Sequence, residues 1–320
     1  MCTPASLVLT KDKVFFSKVS NSHEDIIEEY CLAADGVRGP NVLRVEVVPP
    51  KDDYSLPIEE WDYRVDQIVL PEWVDAMRDE QRTRTALKEW NKYHCCTQEN
   101  LRVNAQMVGG FMVVQSAGNE ATQTASFKST QTASLHATQK ASNHTTQTAG
   151  GLSTQTASHY STQTAGGLST QTAGSWSTQT ASCESIQTAG HNSTQIAGYI
   201  STQKAGDHST QIASFNSTQK AGNHSTQKAD FQSIQTASNH ATQMAGFNST
   251  QTAGNNSYQK AGVGTVQIGR WFENGNFTVS TRVINEETAD KWYKFANGDW
   301  SLVDDNEIPF TIKDKKESQN

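Results

Sequence analysis

The chain has little of what a large globular protein needs. Only 35% of its 320 residues are hydrophobic, against roughly 45–50% apolar in an average globular domain. One apolar core spanning the whole length is therefore excluded. Charged residues are also scarce, at 18%, so the chain does not read as a charge-rich disordered one. No run of about 18 apolar residues occurs, so no transmembrane helix is expected. The first residues lack the basic segment and long apolar stretch of a secretory signal. Cysteine is limited to Cys2, Cys31, Cys95, Cys96 and Cys183. An odd, scattered set is no disulfide framework and fits a reducing compartment.

Charge is unevenly spread. Between Val113 and Gly264 six lysines face four acids (Glu120, Glu184, Asp207 and Asp230), so the middle carries +2 and the two ends together −9 of the net −7. Acidic ends and a near-neutral middle argue against nucleic acid as a partner.

What is there is Ser, Thr, Gln, Asn, Gly and Ala, arranged in an eight-residue repeat. From Ala121 the chain reads ATQTASFK, STQTASLH, ATQKASNH, TTQTAGGL, and the period runs from Val113 to Gly264 as 19 octads. Gln fills the third position from Gln115 to Gln259 and again at Gln267, and Ala fills the fifth from Ala117 to Ala261. A period of eight matches neither an α-helix nor a heptad, and Thr, Ser and Gly are poor helix formers. The pattern predicts a short strand, a corner and another strand, stacked coil on coil as a β-solenoid.

Strand side chains alternate between faces. Position four holds Thr but also Lys140, Lys204, Lys220, Lys228 and Lys260. A thin interior cannot accept those lysines, so positions four and two face water. Positions one, three and five (Ser or Ala, Gln, Ala) point inward. Stacked Gln amides can then hydrogen-bond along the solenoid at the ~4.8 Å strand spacing. Position six is Gly, Ser or once Asp230, as expected of a corner that often needs positive φ.

Tyr199, Phe215, Phe231 and Phe247 recur every 16 residues. Alternate octads place Asp207, Asn223, Asn239 and Asn255 there, followed by His208, His224 and His240. A coil of two octads is predicted, hence about nine to ten 16-residue coils, with an aromatic stack on one edge and an Asn/His ladder on the other.

These octads, with AGYISTQ and ASFNSTQ at the aromatic corner, resemble the repeat of bacterial ice-nucleation proteins, over a little under half of the chain. The resemblance implies a non-enzymatic protein whose outward Thr-x-Thr rows order water into an ice-like lattice. It places Thr130, Thr132, Thr146, Thr148, Thr162, Thr164, Thr178 and Thr180 on one ice-binding face. Thr122, Thr124, Thr154, Thr156, Thr170 and Thr172 fall on the other. Tyr199, Phe215, Phe231 and Phe247 match the family's ladder for side-by-side self-association. The implied partners are an ice or water surface and a second copy, with no cofactor and no metal, at a cell surface. Such a lattice has repeats of about 6.6 Å and ~4.8 Å, and each Thr presents a methyl and a hydroxyl held stiffly by β-branching. The array is short for nucleation. Ile196, Lys204, Ile212, Lys220, Lys228 and Met244 replace the second Thr in the later octads. Residues 1–108 do not match the family.

The fold class expected is mainly β: a solenoid over 109–264, a small α+β domain over 1–108 and a β-rich cap with a polar tail over 265–320. In the first domain, strands are expected at 6–10, 13–17, 42–48 and 63–70. A helix capped by Ser22 should cover 23–32. A second should begin at Pro71, with Trp73, Met77, Leu87 and Trp90 as core positions. In the cap, Asn274-Gly275 and Asn297-Gly298 read as hairpin turns, and Trp271, Trp292, Tyr293 and Trp300 can cover the last coil.

His94-Cys95-Cys96 and the His208/His224/His240 ladder are the candidate metal ligands. The first has no second Cys or His pair at useful spacing, and the second reads better as a solvated turn ladder. Asp52, Asp53, Glu59, Glu60, Asp62 and Asp66 read as a solvated acidic stretch rather than an acid/base pair. No catalytic motif is visible in 1–108. The alternative to ice binding is a structural protein that uses the solenoid as a rigid spacer or binding face, on a virus particle or cell surface.

Overall fold

The computed structural model describes residues 5–36, 39–50, 56–94, 97–273 and 276–308. The fold is mainly β, with a β-solenoid of about 11 turns of 16 residues. Two compact units divide the chain, Met1–Gln147 and Thr148–Asn320.

The first unit opens with an antiparallel sheet in the order β2-β1-β5-β6, formed by β1 (Ala5–Leu9), β2 (Val14–Phe15), β5 (Leu43–Val48) and β6 (Asp62–Val65). Between β2 and β5 lie α1 (His23–Glu29) and the short pair β3 (Asp35–Gly36) and β4 (Gly39–Pro40). Ser22 caps α1, its hydroxyl accepting the Asp25 N–H at 3.3 Å. Leu7, Leu9, Leu43, Val45 and Val47 bury one face of the sheet against Trp61, Leu87 and Trp90.

Helix α2 (Ala76–Trp90) begins five residues after the expected start at Pro71, because Asp75 provides the cap by accepting the Arg78 N–H at 2.9 Å. That shift turns the helix. Leu87 and Trp90 are buried as expected, but the core stripe continues through Thr83 and Asp79, and Met77 is 84% exposed. Asp79 is tolerated inside because Arg78 and Arg82 approach its carboxylate at 3.0 and 2.9 Å.

The stack begins before the repeat does. Strand β7 (Thr97–Asn100) pairs in parallel with β9 (Val114–Ala117), and β8 (Gln106–Val108) with β10 (Thr122–Thr124). The expected boundary at 108 therefore falls inside the stacked coils. Phe111 also belongs to the core of the first sheet.

In the second unit two parallel sheets face each other across the interior. One holds strands from Thr154–Thr156 to Val266–Glu273, the other from Thr162–Ala165 to Ser257–Ala261, each strand pairing with that 16 residues later. Every Gln of the third position is fully buried. Gln171 Nε2 donates to Gln155 Oε1 at 2.8 Å and to the Thr180 carbonyl at 3.1 Å, and its own Oε1 accepts from Gln187 at 2.9 Å. The amide thus binds along its own sheet and across to the facing one. First-position serines do the same work at the strand starts, as where Ser177 Oγ accepts the Ser161 N–H at 3.3 Å.

Positive φ does not fall at position six. From Glu120 to Asn256 it is the eighth residue that turns left-handed, with φ between 53° and 60°. Position six is small for another reason. A Cβ on Gly166 would lie 2.5 Å from the Gly151 backbone nitrogen, so adjoining coils touch backbone to backbone there.

Both sheets end in antiparallel pairs. Val266–Glu273 folds back on Asn276–Val283, and Trp292–Ala296 pairs antiparallel with Ser257–Ala261 before turning into Asp299–Val303. A reversed strand cannot template another parallel coil, so the edge is blunted. Asn297 (φ 51°) and Gly298 (φ 93°) make the expected tight turn, whereas Asn274-Gly275 lies outside the described residues. Trp292 and Tyr293 are buried, and Phe295 and Ile284 close the last coil.

Candidate functional site

The threonines read as outward are outward. In strand after strand the pattern is exposed, buried, exposed, with Gln in the middle. Strand pleating puts the side chains of positions two and four on one side, and the Gln network holds each rung in register with the next.

Within the second unit the rows meet as the repeat predicts. Thr154 and Thr156 lie beside Thr170 and Thr172, and on the other sheet Thr162 and Thr164 lie beside Thr178 and Thr180. Beyond these rungs the double row breaks. Ile186 follows Thr170, and Ile196 follows Thr180. The position-two row of the second sheet continues unbroken through Thr162, Thr178, Thr194, Thr210, Thr226 and Thr242.

In the first unit Thr122 and Thr124 sit between Gln106 and Val108 on one side and Thr138 and Lys140 on the other. Thr130 and Thr132 lie beside Val114 and Ser116. Thr146 and Thr148 share one strand with both side chains exposed. The candidate threonines thus all occupy outward positions, with Thr124, Thr130 and Thr180 half-buried, but paired Thr-x-Thr rungs adjoin only where the octads are purest.

The corners carry two ladders. Tyr199, Phe215, Phe231 and Phe247 stack with centroids 5.2, 5.0 and 4.9 Å apart and rings within 5° of parallel. The opposite corner stacks His208, His224 and His240 at 4.9 and 4.7 Å. Earlier on that corner Tyr160 and Trp176 also stack, at 6.2 Å.

A third ladder was legible only in part. At position seven of the histidine corner each side chain accepts the backbone N–H one coil on. Ser175 N–H goes to His159 Nδ1 at 2.9 Å, and Asp207 N–H to His191 Nδ1 at 2.9 Å. Asn239 N–H goes to Asn223 Oδ1 at 3.1 Å, and Asn255 N–H to Asn239 Oδ1 at 2.8 Å. The signal in the sequence is that His, Ser, Asp and Asn alone fill this column from His159 to Asn255, all of them short acceptors.

The other candidates resolve into structure. His94 is fully buried, with Nε2 2.9 Å from the Ser17 carbonyl and Nδ1 accepting the Phe111 N–H at 3.0 Å. Burial lowers its pKa to about 4, so the ring is neutral and both nitrogens are used. Cys95, Cys96, Asp52 and Asp53 lie outside the described residues. Glu59 pairs with Lys88 at 3.2 Å, Asp62 with Arg64 at 3.4 Å, and Asp66 lies 3.4 Å from His23. Among the described residues no group of three or more His, Cys, Asp or Glu is placed to hold a metal ion, and no helix is long and apolar enough to cross a membrane.

No family model, no curated protein and no solved structure matches the chain.

Proposed function

We propose that the solenoid is a non-enzymatic ice-binding surface. The observation that supports this is the pair of adjoining Thr-x-Thr rungs on each sheet of the second unit, exposed and held in register by buried glutamines. Stiff rotamers and fixed spacing let such rows hold first-layer water in a lattice at little ordering cost. The rows are short, so the protein binds and shapes ice more readily than it nucleates freezing by itself. The stacked Tyr199, Phe215, Phe231 and Phe247 edge is an apolar strip that a second copy covers side by side.

The test is a droplet-freezing curve and an ice-shaping assay on purified protein. Exchanging Thr162, Thr164, Thr178 and Thr180 for lysine abolishes the shaping while the circular dichroism spectrum is retained. Wild-type protein that behaves as buffer at high concentration, with its rod intact, defeats this reading and favours a rigid spacer.

A further inference from the structure

The later rungs of the second unit have lost the Thr-x-Thr pairs and gained a different feature. A groove of about 360 Å³ lies along the histidine corner, lined by His224, Thr226, His240, Thr242, Tyr258 and Lys294. Its floor is Thr242, which is outward in register yet only 5% exposed. Its wall is the imidazole stack, with His224 and His240 within 4° of parallel. Tyr258 and Lys294 close the end where the sheet switches to antiparallel, the ammonium 5.7 Å from the ring centroid.

The next column on the same face carries Lys228, Met244, Lys260 and Trp292, with the Lys260 ammonium 5.9 Å from the Trp292 ring. Neither Lys260 nor Lys294 makes an ion pair among the described residues. No acid occupies an outward position on these rungs before Asp299 in the terminal hairpin. Asp230 and Asp290 lie past the opposite ends of the strands, the latter donating its N–H to the Ala261 carbonyl at 2.9 Å.

We propose that this groove binds an acidic polysaccharide, a linear chain bearing carboxylates or sulfates. Its anionic groups pair with Lys260 and Lys294, where charge-assisted hydrogen bonds are strongest. Its hydroxyls meet Thr226 and the imidazoles, which both donate and accept. The flat, apolar side of a sugar ring rests on Tyr258. The polar groups are spread along rungs about 4.8 Å apart rather than gathered at one focus, which suits an extended chain over a small anion. A nucleic acid fits less well, because base stacking needs successive aromatic platforms and the groove has a single tyrosine. The proposal is independent of ice binding, since it uses rungs beyond the paired threonines.

Affinity electrophoresis of the full chain tests it, in native gels containing polygalacturonate, dextran sulfate or neutral dextran. Retardation is expected in at least one acidic gel and not in the neutral one, and which acidic gel retards tells carboxylate from sulfate. Lys260→Ala with Lys294→Ala should weaken binding about tenfold, and Tyr258→Ala should also weaken it, with unchanged melting curves. The pair Lys204→Ala and Lys220→Ala, on the other sheet, should leave it unaltered. The proposal is overturned by no retardation in either acidic gel, by equal loss in the Lys204/Lys220 variant, or by equal affinity for single-stranded DNA.

Discussion

The carboxylate of Asp207 accepts the backbone N–H of Asn223, one full coil further on, at 2.6 Å. The same bond recurs along that corner and finishes outside the repeat, where Asn255 Oδ1 accepts the Asn297 N–H at 2.7 Å. The column therefore ties the terminal hairpin to the coils. Asn239→Ala should cost about 0.5–1.5 kcal/mol by urea unfolding, the net value of one hydrogen bond. Asn239→Asp, which keeps the acceptor, should cost less. Equal losses in the two variants would show that the bond contributes nothing.

The glutamine columns should respond differently along their length. Gln171→Met removes three hydrogen bonds that tie a buried amide to both sheets, at about 0.5–1.5 kcal/mol for each. Gln267 stands at the end of its column, with an Oε1 that has no partner and one bond to Gln251 at 2.9 Å. Gln267→Met should therefore be much milder. Thermal melts of the two variants compare them directly.

Ile200 occupies the left-handed region with φ 55°, where a β-branched residue is a true outlier. Its side chain is about half exposed, at 51%, so little packing offsets the strain. Ile200→Asn should raise stability by about 1 kcal/mol. A lower melting temperature for this variant would contradict the strain argument.

His94 makes the first unit sensitive to acid. Its folded pKa of about 4 lies below the ordinary 6.5 because burial disfavours the charged ring. Between those values the unfolded chain binds a proton that the folded one refuses, so stability is full above pH 6.5 and falls as pH drops toward 4. The loss from this group is about 3 kcal/mol. His94→Gln should be less stable at neutral pH but show a flatter decline across that window, read from denaturant midpoints at several pH values.

Much of the fold could be read because a solenoid repeats one local environment. The outward lysines of position four, the unbroken glutamines and the 16-residue aromatic beat each report a side chain's surroundings directly, coil after coil. Where that self-similarity stops, local pattern no longer reports a side chain's surroundings. A helix starting at Pro71 puts Met77 in the core, and only the packed sheet shows that a buried Asp79 with two arginines is tolerated instead. A column of small residues at position six has two physical causes, positive φ and close backbone approach, that sequence does not separate.

The sequence by itself therefore determined the period, the inward and outward positions and the two-octad coil, because alternation along a strand and tolerance within a repeat are local properties. Tertiary structure alone decided where the stack begins and ends, why the sixth residue is small, and which residues share the groove. Those depend on backbone approach between coils and on strands such as Ser257–Ala261 and Trp292–Ala296, which are distant in sequence and brought together only by folding.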